Sequence, residues 1–358
     1  MTVRVSPREA TSPGFRALVL VGSLLAGLVA VGIVFAVRGV NPALAIWSIF
    51  RGSFGSLYGI KETITKAVPL ILIASGLALA YRAKFWNIGA ESQLLLGAVF
   101  ATWVGLTWGP SLPAWAIIPL MFIAGFIGGA LWGAIPALLK IRFGINEVIS
   151  TLMLNYVAAE IVKFLVVGPW KGATKFGYPY TDDLPEQAIL ELLPLSRISP
   201  ILVVMAIVVA LSLTYLIFRT RFGYEIRVIG ENVEAARYAG VNFFKTLLLT
   251  MIISGGVAGI AGAGELAAIH HNLSYPETIS AGYGFTAIIV AWLGKLNPAF
   301  VIIAGIFFAG IVVGGDAIQM TLGLPAVTVS VFNGFLLVFL IAGDYLLYHR
   351  VRIVREKA

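Results

Sequence analysis

The sequence contains no cysteine, and only 12% of its 358 residues are charged. The lack of cysteine excludes disulfide bonds, thiol catalysis and cysteine-ligated metal sites. A soluble domain carries roughly 25% charged residues. A chain with half that fraction that is also 59% apolar is not an ordinary soluble protein. The composition, with a mean hydropathy of +0.95, therefore predicts a polytopic membrane protein.

Sequence motifs for catalysis and nucleotide binding are missing as well. The pair Gly294-Lys295 is followed by Leu296, whereas a phosphate-binding P-loop needs serine or threonine there. No H-E-x-x-H zinc motif occurs, and no Ser-His-Asp arrangement is suggested. We therefore expect no catalytic residue, no metal ligand and no cofactor in this chain. A membrane enzyme is the least favoured functional class.

Long apolar runs fill most of the chain. A spanning helix needs about 20 apolar residues, and on this basis the sequence predicts an all-α membrane helix bundle that forms one domain over residues 1–358. The eighth run is too short to cross alone, so we expect it to form a broken helix with irregular backbone in 272–283, as in transport sites. The ten predicted spans are 17–37, 67–81, 90–108, 113–139, 147–167, 199–218, 244–268, 284–294, 299–315 and 324–347.

The distribution of lysine and arginine predicts the orientation. With both termini inside, 17 of the 25 basic residues lie on the cytoplasmic side. Cytoplasmic loops of membrane proteins carry the excess of basic residues, so we predict a plasma-membrane protein with cytoplasmic termini and an outer loop at 168–198. The eight basic residues left outside are Arg38, Arg51, Lys61, Lys66, Lys163, Lys171, Lys175 and Arg197.

A charged segment, residues 219–245, separates the sixth and seventh predicted spans. Asn232 is a predicted N-cap and Gly240 a predicted left-handed end for a helix from about Val233 to Ala239. That helix is only about 10 Å long, so it cannot anchor the chain in a bilayer. Its charges and its small-residue face suit docking into a groove of a soluble protein. The predicted docking residues are Gly230, Glu231, Asn232, Glu234, Ala235, Ala236, Arg237, Tyr238, Ala239 and Gly240.

Few polar residues fall inside the predicted spans, and ionisable groups there are functional candidates. Glu91 lies near a span end, where a pairing with Arg82 or Lys84 is an alternative to a functional role. Glu265 lies deep in a span, and with His270 it is a candidate proton relay. The neutral amides of the spans either hydrogen-bond an uncharged polar solute or hold helices together.

Four segments of the sequence resemble one known family. FGYEIRVIGENVEAARYAGVNFFK at 222–245, ISGGVAGIAGAGELAA at 253–268, AKFWNIGAESQLLLGA at 83–98 and the glycine-bounded run at 282–315 are similar to permease subunits of bacterial ABC importers of the branched-chain amino acid and ribose type. The N-I-G-x-E-x-Q form resembles the nucleoside-uptake branch most. This sequence departs from the family pattern at Trp86 and Trp292, because each tryptophan is bulkier than the side chain that we expect there.

The resemblance implies an inner-membrane pathway subunit without enzymatic activity of its own. Its implied partners are a second permease, a cytoplasmic ATPase that binds ATP and docks on the 230–240 helix, and an extracytoplasmic binding lipoprotein. We expect nucleosides as the solute, with simple sugars or branched-chain amino acids as the alternative and an ion- or proton-coupled secondary transporter as the rival class. The expected path residues are Asn87, Glu91, Gln93, Asn155, Glu265, Phe285, Trp292 and Asn333.

Overall fold

The computed structural model describes residues 2–7, 12–37, 39–323 and 349–354, with isolated residues between 331 and 347. The described chain is nearly all helical, which confirms the predicted fold class. Two short strands, β1 (Thr2–Pro7) and β2 (His349–Val354), pair in an antiparallel ribbon. The helices are α1 (Pro13–Val37), α2 (Pro42–Phe54), α3 (Leu57–Arg82), α4 (Ala90–Trp108), α5 (Ala114–Phe143), α6 (Glu147–Val167), α7 (Pro200–Arg219), α8 (Arg221–Glu231), α9 (Val233–Tyr238), α10 (Phe243–Glu265), α11 (Pro276–Ser280), α12 (Tyr283–Leu293) and α13 (Pro298–Leu322).

Seven of the described helices are long and apolar enough to cross a membrane. An eighth crossing is formed if α1 and α2, which are bent by 115° against each other, count as one broken span. The predicted number of ten is therefore approximate, and the predicted span 324–347 lies mostly outside the described residues. The seven are Leu57–Arg82, Ala90–Ser111, Ala114–Phe143, Glu147–Val167, Pro200–Arg219, Phe243–His270 and Pro298–Thr321.

The predicted short span is confirmed as α12, which has 11 residues. At 1.5 Å per residue it is about 16 Å long, too short to cross a bilayer. The preceding segment holds the five-residue α11 and a left-handed turn at Ala281 and Gly282, with φ of 45° and 74°. This segment is therefore more ordered than the irregular backbone expected at 272–283.

Contacts divide the chain into two compact units, one of Met1–Gly59 with Gly310–Ala358 and one of Ile60–Ala309. In the first unit Gly314 packs against Ile49, and the Ser53 hydroxyl donates a hydrogen bond to the Gly310 carbonyl. The single domain over residues 1–358 stays a prediction.

Glycine stripes bring α4, α5 and α10 together in the second unit. Gly129 of α5 lies against the backbone of Gly255 and Gly259 in α10, and Gly97 of α4 contacts Gly259 from the other side. A Cβ atom at these positions would collide with the facing backbone. Lipid gives helices no hydrophobic reason to associate, so close backbone packing through small residues holds the three together.

Two helices that begin with proline differ in their caps. The Asn297 side chain accepts from the Ala299 N–H at 3.2 Å at the start of α13, as a cap before proline should. Ser199 stands before Pro200 at the start of α7, but its hydroxyl makes no capping bond and is buried without a hydrogen-bond partner among the described residues. Pro200 at the first helical position removes one of the N–H groups that a cap would satisfy.

Candidate functional site

The loop between α3 and α4 carries two of the predicted path residues, which bind each other. The Asn87 Nδ2 donates to Gln93 Oε1 at 3.0 Å, and the Gln93 Nε2 donates to Asn87 Oδ1 at 3.1 Å. The Gly89 N–H also donates to Asn87 Oδ1, at 3.0 Å. Both amides are almost completely buried. Because buried amides need partners, this reciprocal pair fixes the loop in the state described.

Helix α6 fastens the same loop from the side. The Asn155 Nδ2 donates to the Ile88 carbonyl at 3.0 Å, and the Asn155 Oδ1 accepts from the Ser92 N–H at 3.2 Å. The Thr151 hydroxyl accepts from the Ile88 N–H at 3.2 Å. Asn155 therefore uses both ends of its amide on backbone groups. In this structure it holds helices together, which is one of the two roles that the sequence left open for the amides.

Glu91 binds the beginning of the broken helix rather than a basic residue. Its Oε2 accepts from the Gly284 N–H at 2.7 Å. The Ser280 hydroxyl and the N–H groups of Gly282 and Phe285 also lie against this carboxylate. A helix N-terminus presents unsatisfied N–H groups and a partial positive charge, so it binds an anion well. Glu91 thus caps α12 from another helix.

Glycine at position 284 makes this cap possible. A Cβ atom there would collide with the backbone N and Cα of Glu91, so α12 could not approach the carboxylate. The pairing of Gly284 with Glu91 joins residues 193 positions apart. Sequence reasoning missed Gly284 and Thr151. The glycine-spaced run at 282–285 is the signal by which Gly284 could have been found.

Glu265 lies at the end of α10, where one turn of π-helix, Leu266–His270, follows. Its side chain is 7% exposed, and among the described residues its carboxylate has His270 as its partner, with Nε2 and Oε2 3.7 Å apart. Arg197 and Lys66 lie within electrostatic range. π-Helical turns inside α-helices are frequent at functional sites, and a buried carboxylate with few partners is available to a further hydrogen-bond donor.

The predicted aromatic path residues lie seven positions apart on α12, one near its beginning and one near its end. Phe285 is 44% exposed. The Trp292 ring stacks on Trp86 with centroids 5.7 Å apart and planes 20° apart, and Tyr81 lies 6.1 Å from Trp292. The two tryptophans that depart from the expected family pattern therefore contact each other. The last predicted path residue, Asn333, lies outside the described residues.

The charged segment forms two helices, α8 and α9. Asn232 caps α9, accepting from the Glu234 and Ala235 N–H groups at 2.9 and 3.2 Å, and Gly240 has a φ of 75°, as predicted. Glu234 and Arg237 form an ion pair at 3.1 Å.

Most of the predicted docking residues face outward. Tyr238 is 97% exposed, and Glu231, Asn232, Glu234, Ala235, Arg237, Ala239 and Gly240 are exposed too. Gly230 and Ala236 are buried inside the chain itself, so the face that remains for a partner excludes them. The exposed docking surface is therefore narrower than the list read from the sequence.

The predicted outer loop, residues 168–198, folds back onto the turn that follows α10. The Leu184 N–H donates to the His271 carbonyl at 2.7 Å, and the Leu190 N–H donates to the Ala267 carbonyl at 2.9 Å. Asp183 pairs with Lys175 at 2.6 Å and accepts from Asn272 at 2.8 Å. The Lys175 ammonium, followed by the Asn272 amide, lowers the pKa of Asp183 below its usual range. This loop therefore covers the segment beside Glu265 and His270.

Comparisons with known proteins cover most of this chain. The family model described as the branched-chain amino acid transport system permease component matches residues 59–341. A glucose ABC transporter permease protein of Haloferax volcanii is 35% identical over 94% of this chain and 90% of its own length. A guanosine ABC transporter permease protein of Bacillus subtilis is 30% identical, over 90% of this chain and 92% of its own length.

A third relative is a nucleoside ABC transporter permease protein of Lactococcus lactis. It is 27% identical over 91% of this chain and 90% of its own length. Both Bacillus subtilis and Lactococcus lactis have a second permease protein that also matches this chain, each at 29% identity. The family match, over residues 59–341, spans both the α3–α4 loop and α12.

Proposed function

The chain belongs to the permease-component family of branched-chain amino acid transport systems, it is a multi-pass permease subunit of an ABC importer, and we propose that its solute is a nucleoside. The observation that supports a nucleoside as the solute is the similarity to guanosine and nucleoside permeases over about nine-tenths of the chain. A nucleoside is polar, mostly uncharged and carries an aromatic base. It therefore needs hydrogen-bonding groups and aromatic faces along its path rather than a fixed charge.

The side chains on α12 and beside it suit such a solute. Phe285 and Trp86 each expose nearly half of their surface, and an aromatic pair adds about 0.5–1.5 kcal/mol beyond the area that it buries. We propose that the path also takes in Glu265, Trp292 and Asn333. Asn87, Glu91, Gln93 and Asn155 complete the path proposal, and their closed hydrogen bonds mean that they act as its frame in the described state.

A sugar is the second candidate solute. The Haloferax volcanii relative, a glucose permease, is 35% identical to this chain, more than either nucleoside relative. A sugar shares the hydroxyl groups of a nucleoside and lacks the aromatic base. Discrimination between them therefore depends on the aromatic faces, whose removal should affect a nucleoside and spare a sugar.

We propose three partners for this subunit: a second permease, a cytoplasmic ATPase and an extracytoplasmic binding protein. The second permease is supported by the two organisms in which a second related permease matches this chain. The ATPase is supported by the lack of any P-loop here and by the exposed surface of α9, with Tyr238 at its tip. ATP hydrolysis then belongs to that partner, and this chain contributes the path.

The proposed orientation has both termini in the cytoplasm. The distribution of basic residues supports it. So does the antiparallel pairing of Thr2 with Val354 and of Pro7 with His349, because two paired ends lie on one side of the membrane. Labelling of single cysteines introduced into this cysteine-free chain tests it: position 178 should react from outside only, and reaction from the cytoplasmic side alone would contradict the orientation.

Uptake in proteoliposomes tests the solute. The permease pair, the ATPase and the binding protein are reconstituted, and uptake of labelled guanosine, uridine, glucose and leucine is followed with and without ATP. We expect ATP-dependent uptake of the nucleosides that excess glucose and leucine leave unchanged. Uptake of glucose alone would favour the second candidate. Accumulation driven by a pH gradient without ATP would instead establish a secondary transporter.

A substitution on the docking surface tests the ATPase contact. Ala235→Glu places a large charge on the exposed face of α9, where burial of an unpaired charge costs several kcal/mol. We expect normal membrane insertion and loss of ATP-dependent uptake. The matched control is Ala173→Glu, the same change at an exposed position of the outer loop. Equal uptake by the two variants would contradict the docking role.

A further inference from the structure

Arg82, the last residue of α3, contacts three separate elements at the end of the chain's second unit nearest the docking surface. Its Nε donates to the Leu296 carbonyl in the turn between α12 and α13 at 2.7 Å. Its guanidinium lies 4.8 Å from the centre of the Phe218 ring near the end of α7. Its own carbonyl lies directly against Gly230 of α8, where a Cβ atom would collide with it.

The turn that Arg82 holds is a strained one. Lys295 and Leu296 have φ values of 51° and 53°, a left-handed conformation that L-residues other than glycine and asparagine rarely adopt. Such residues persist only when surrounding contacts hold them, and they cluster at switch regions. The bond from Arg82 fixes the orientation of the Leu296 carbonyl. Arg82 therefore stabilises the turn that ends α12.

The broken helix is held at both ends by the segment that begins at Arg82. At its first turn α12 is capped by Glu91, and at its last turn Trp292 stacks on Trp86. The residues between are locked by the reciprocal amides of Asn87 and Gln93. The segment from Arg82 to Glu91 is thus joined to α12 and to the turn that follows it at three places, Gly284, Trp292 and Leu296. Displacement of the end of α3 would carry α12 with it.

We propose that Arg82 is the positioning residue through which movement of the α8–α9 segment reaches α12. The proposal rests on the proposed function, because it needs an ATPase to push on that segment. Gly230 brings α8 into backbone contact with Arg82. The Phe218 ring contacts Arg82 and also Arg227 of α8, whose guanidinium lies 5.8 Å from the ring centre. Arg82 then passes the displacement to Leu296. The chain of contacts is continuous from the docking surface to the broken helix.

Arg82→Gln breaks this chain of contacts without adding a charge or bulk. In the reconstituted complex we expect ATP hydrolysis to continue while guanosine uptake per ATP falls about tenfold, a size typical of energetic coupling between sites. Arg82→Lys keeps the charge and a donor but lacks the planar group that stacks on a ring, so its uptake per ATP should be intermediate. The control is Lys84→Gln, which removes an exposed cation from the same loop.

Spin labels separate transmission from simple loss of structure. Single cysteines at Tyr224 in α8, which is exposed and outside the docking residues, and at Thr286 in α12 are labelled in the cysteine-free chain, and spectra of the complex are recorded with and without a non-hydrolysable ATP analogue. With Arg82 present both labels should respond to the nucleotide. With Arg82→Gln the label at 224 should still respond and the label at 286 should not. A response at both positions in that variant overturns the proposal.

The outcomes also distinguish this inference from the proposed function. If the unmodified complex shows no ATP-dependent uptake, the importer proposal itself fails. If it does, and Arg82→Gln matches Lys84→Gln in uptake per ATP, the importer stands and the role of Arg82 is wrong. Should Arg82→Gln fail to assemble, Arg82→Lys decides: uptake per ATP equal to that of the unmodified complex contradicts the proposal, and a selective fall supports it.

Discussion

Glu91 and Glu265 are two buried carboxyl groups on neighbouring spans, 8% and 6% exposed, and their surroundings are opposite. Glu91 is surrounded by the N–H groups at the start of α12. Glu265 has, among the described residues, an imidazole at 3.7 Å and no hydrogen bond to its carboxylate. Burial of a carboxylate costs free energy that hydrogen bonds offset. The hydrogen bonds of Glu91 are therefore spent on the fold, while Glu265 has no such bond among the described residues and is the one that we propose to meet the solute.

This difference has a local cause. Glu91 follows a loop that is locked by amides and faces a helix that begins beside it, because Gly284 lets the two backbones touch. Glu265 precedes a π-helical turn, in which the hydrogen-bond register changes, and the outer loop lies over the residues that follow. The backbone that faces each of these two identical side chains therefore decides whether its carboxylate is hydrogen-bonded.

Removal of the Glu91 carboxylate should have the largest effect. In Glu91→Ala the N–H groups at the start of α12 lose their acceptor, and each buried unsatisfied group costs about 1–3 kcal/mol. We expect a lower melting temperature of the purified chain and loss of uptake, with Glu91→Gln less affected because it keeps an acceptor oxygen. Tryptophan fluorescence during heating measures the melting temperature.

The matched control for Glu91 is Glu160→Ala. Glu160 is an exposed carboxylate in α6 that pairs with Lys163 at 2.9 Å. A fully exposed ion pair contributes little to stability because solvent screens it, so this variant should stay close to the unmodified chain. If Glu91→Ala melts no earlier than Glu160→Ala, the cap does not stabilise α12.

Gly284→Ala tests the same contact from the other side and should have the next largest effect. The added methyl group meets the Glu91 backbone and forces α12 away from its cap, and overpacking of this kind typically costs about 1–3 kcal/mol. Gly22→Ala is the control, since a Cβ at Gly22 meets open space. We expect a lower melting temperature for Gly284→Ala only. Equal melting temperatures would mean that the close approach is not required.

Glu265→Gln should change transport more than stability. Glutamine keeps the shape and an acceptor but cannot ionise. No hydrogen bond from the described residues is lost, so we expect a change in stability within about 1 kcal/mol, the size of a single net hydrogen bond. The apparent KM for uptake should rise about tenfold, a loss of one polar contact to solute. Uptake should remain dependent on ATP.

Two results would contradict this reading of Glu265. A fall in melting temperature as large as that of Glu91→Ala would make Glu265 structural as well. Accumulation driven by a pH gradient without ATP in the unmodified protein, lost in Glu265→Gln, would make it a proton carrier. Glu160→Gln serves as the control in both measurements because its carboxylate is exposed.

Several features of this structure could be predicted from the sequence. Hydrophobic runs located the seven long spans and the short α12, because bilayer thickness fixes the length of a crossing helix. The cap at Asn232 was predicted because it depends on neighbours within three residues. The glycine stripes of α5 and α10 were also visible in the sequence, since their spacing places small residues on one helix face.

Partners distant in sequence were not predictable in the same way. A pairing of Glu91 with Arg82 or Lys84 was one alternative that the sequence left open, but its partner Gly284 lies 193 residues away. Nothing within either segment specifies the other, because the contact depends on how α4 and α12 pack. Ala236 was assigned to the docking face by helix periodicity, but burial of one face of α9 in the chain itself hides it. Helix periodicity predicts which residues share a face of a helix, but the packing of the helix decides which face stays exposed.

The exposed carboxylate of Asp183 should show the smallest effect and gives a baseline for the two buried groups. It pairs with Lys175 at 2.6 Å and its side chain is 58% exposed, so we expect Asp183→Asn to cost less than about 1 kcal/mol at pH 7. Lys175 lowers the pKa of Asp183, and an unfolded aspartate has a pKa of about 3.9. The contribution is therefore full above that value and is lost as the pH falls through the lower pKa of the folded state. Melting temperatures of the two proteins should differ slightly at pH 7 and converge in acid. A difference that persists at low pH would show that Asp183 acts through packing rather than through its charge.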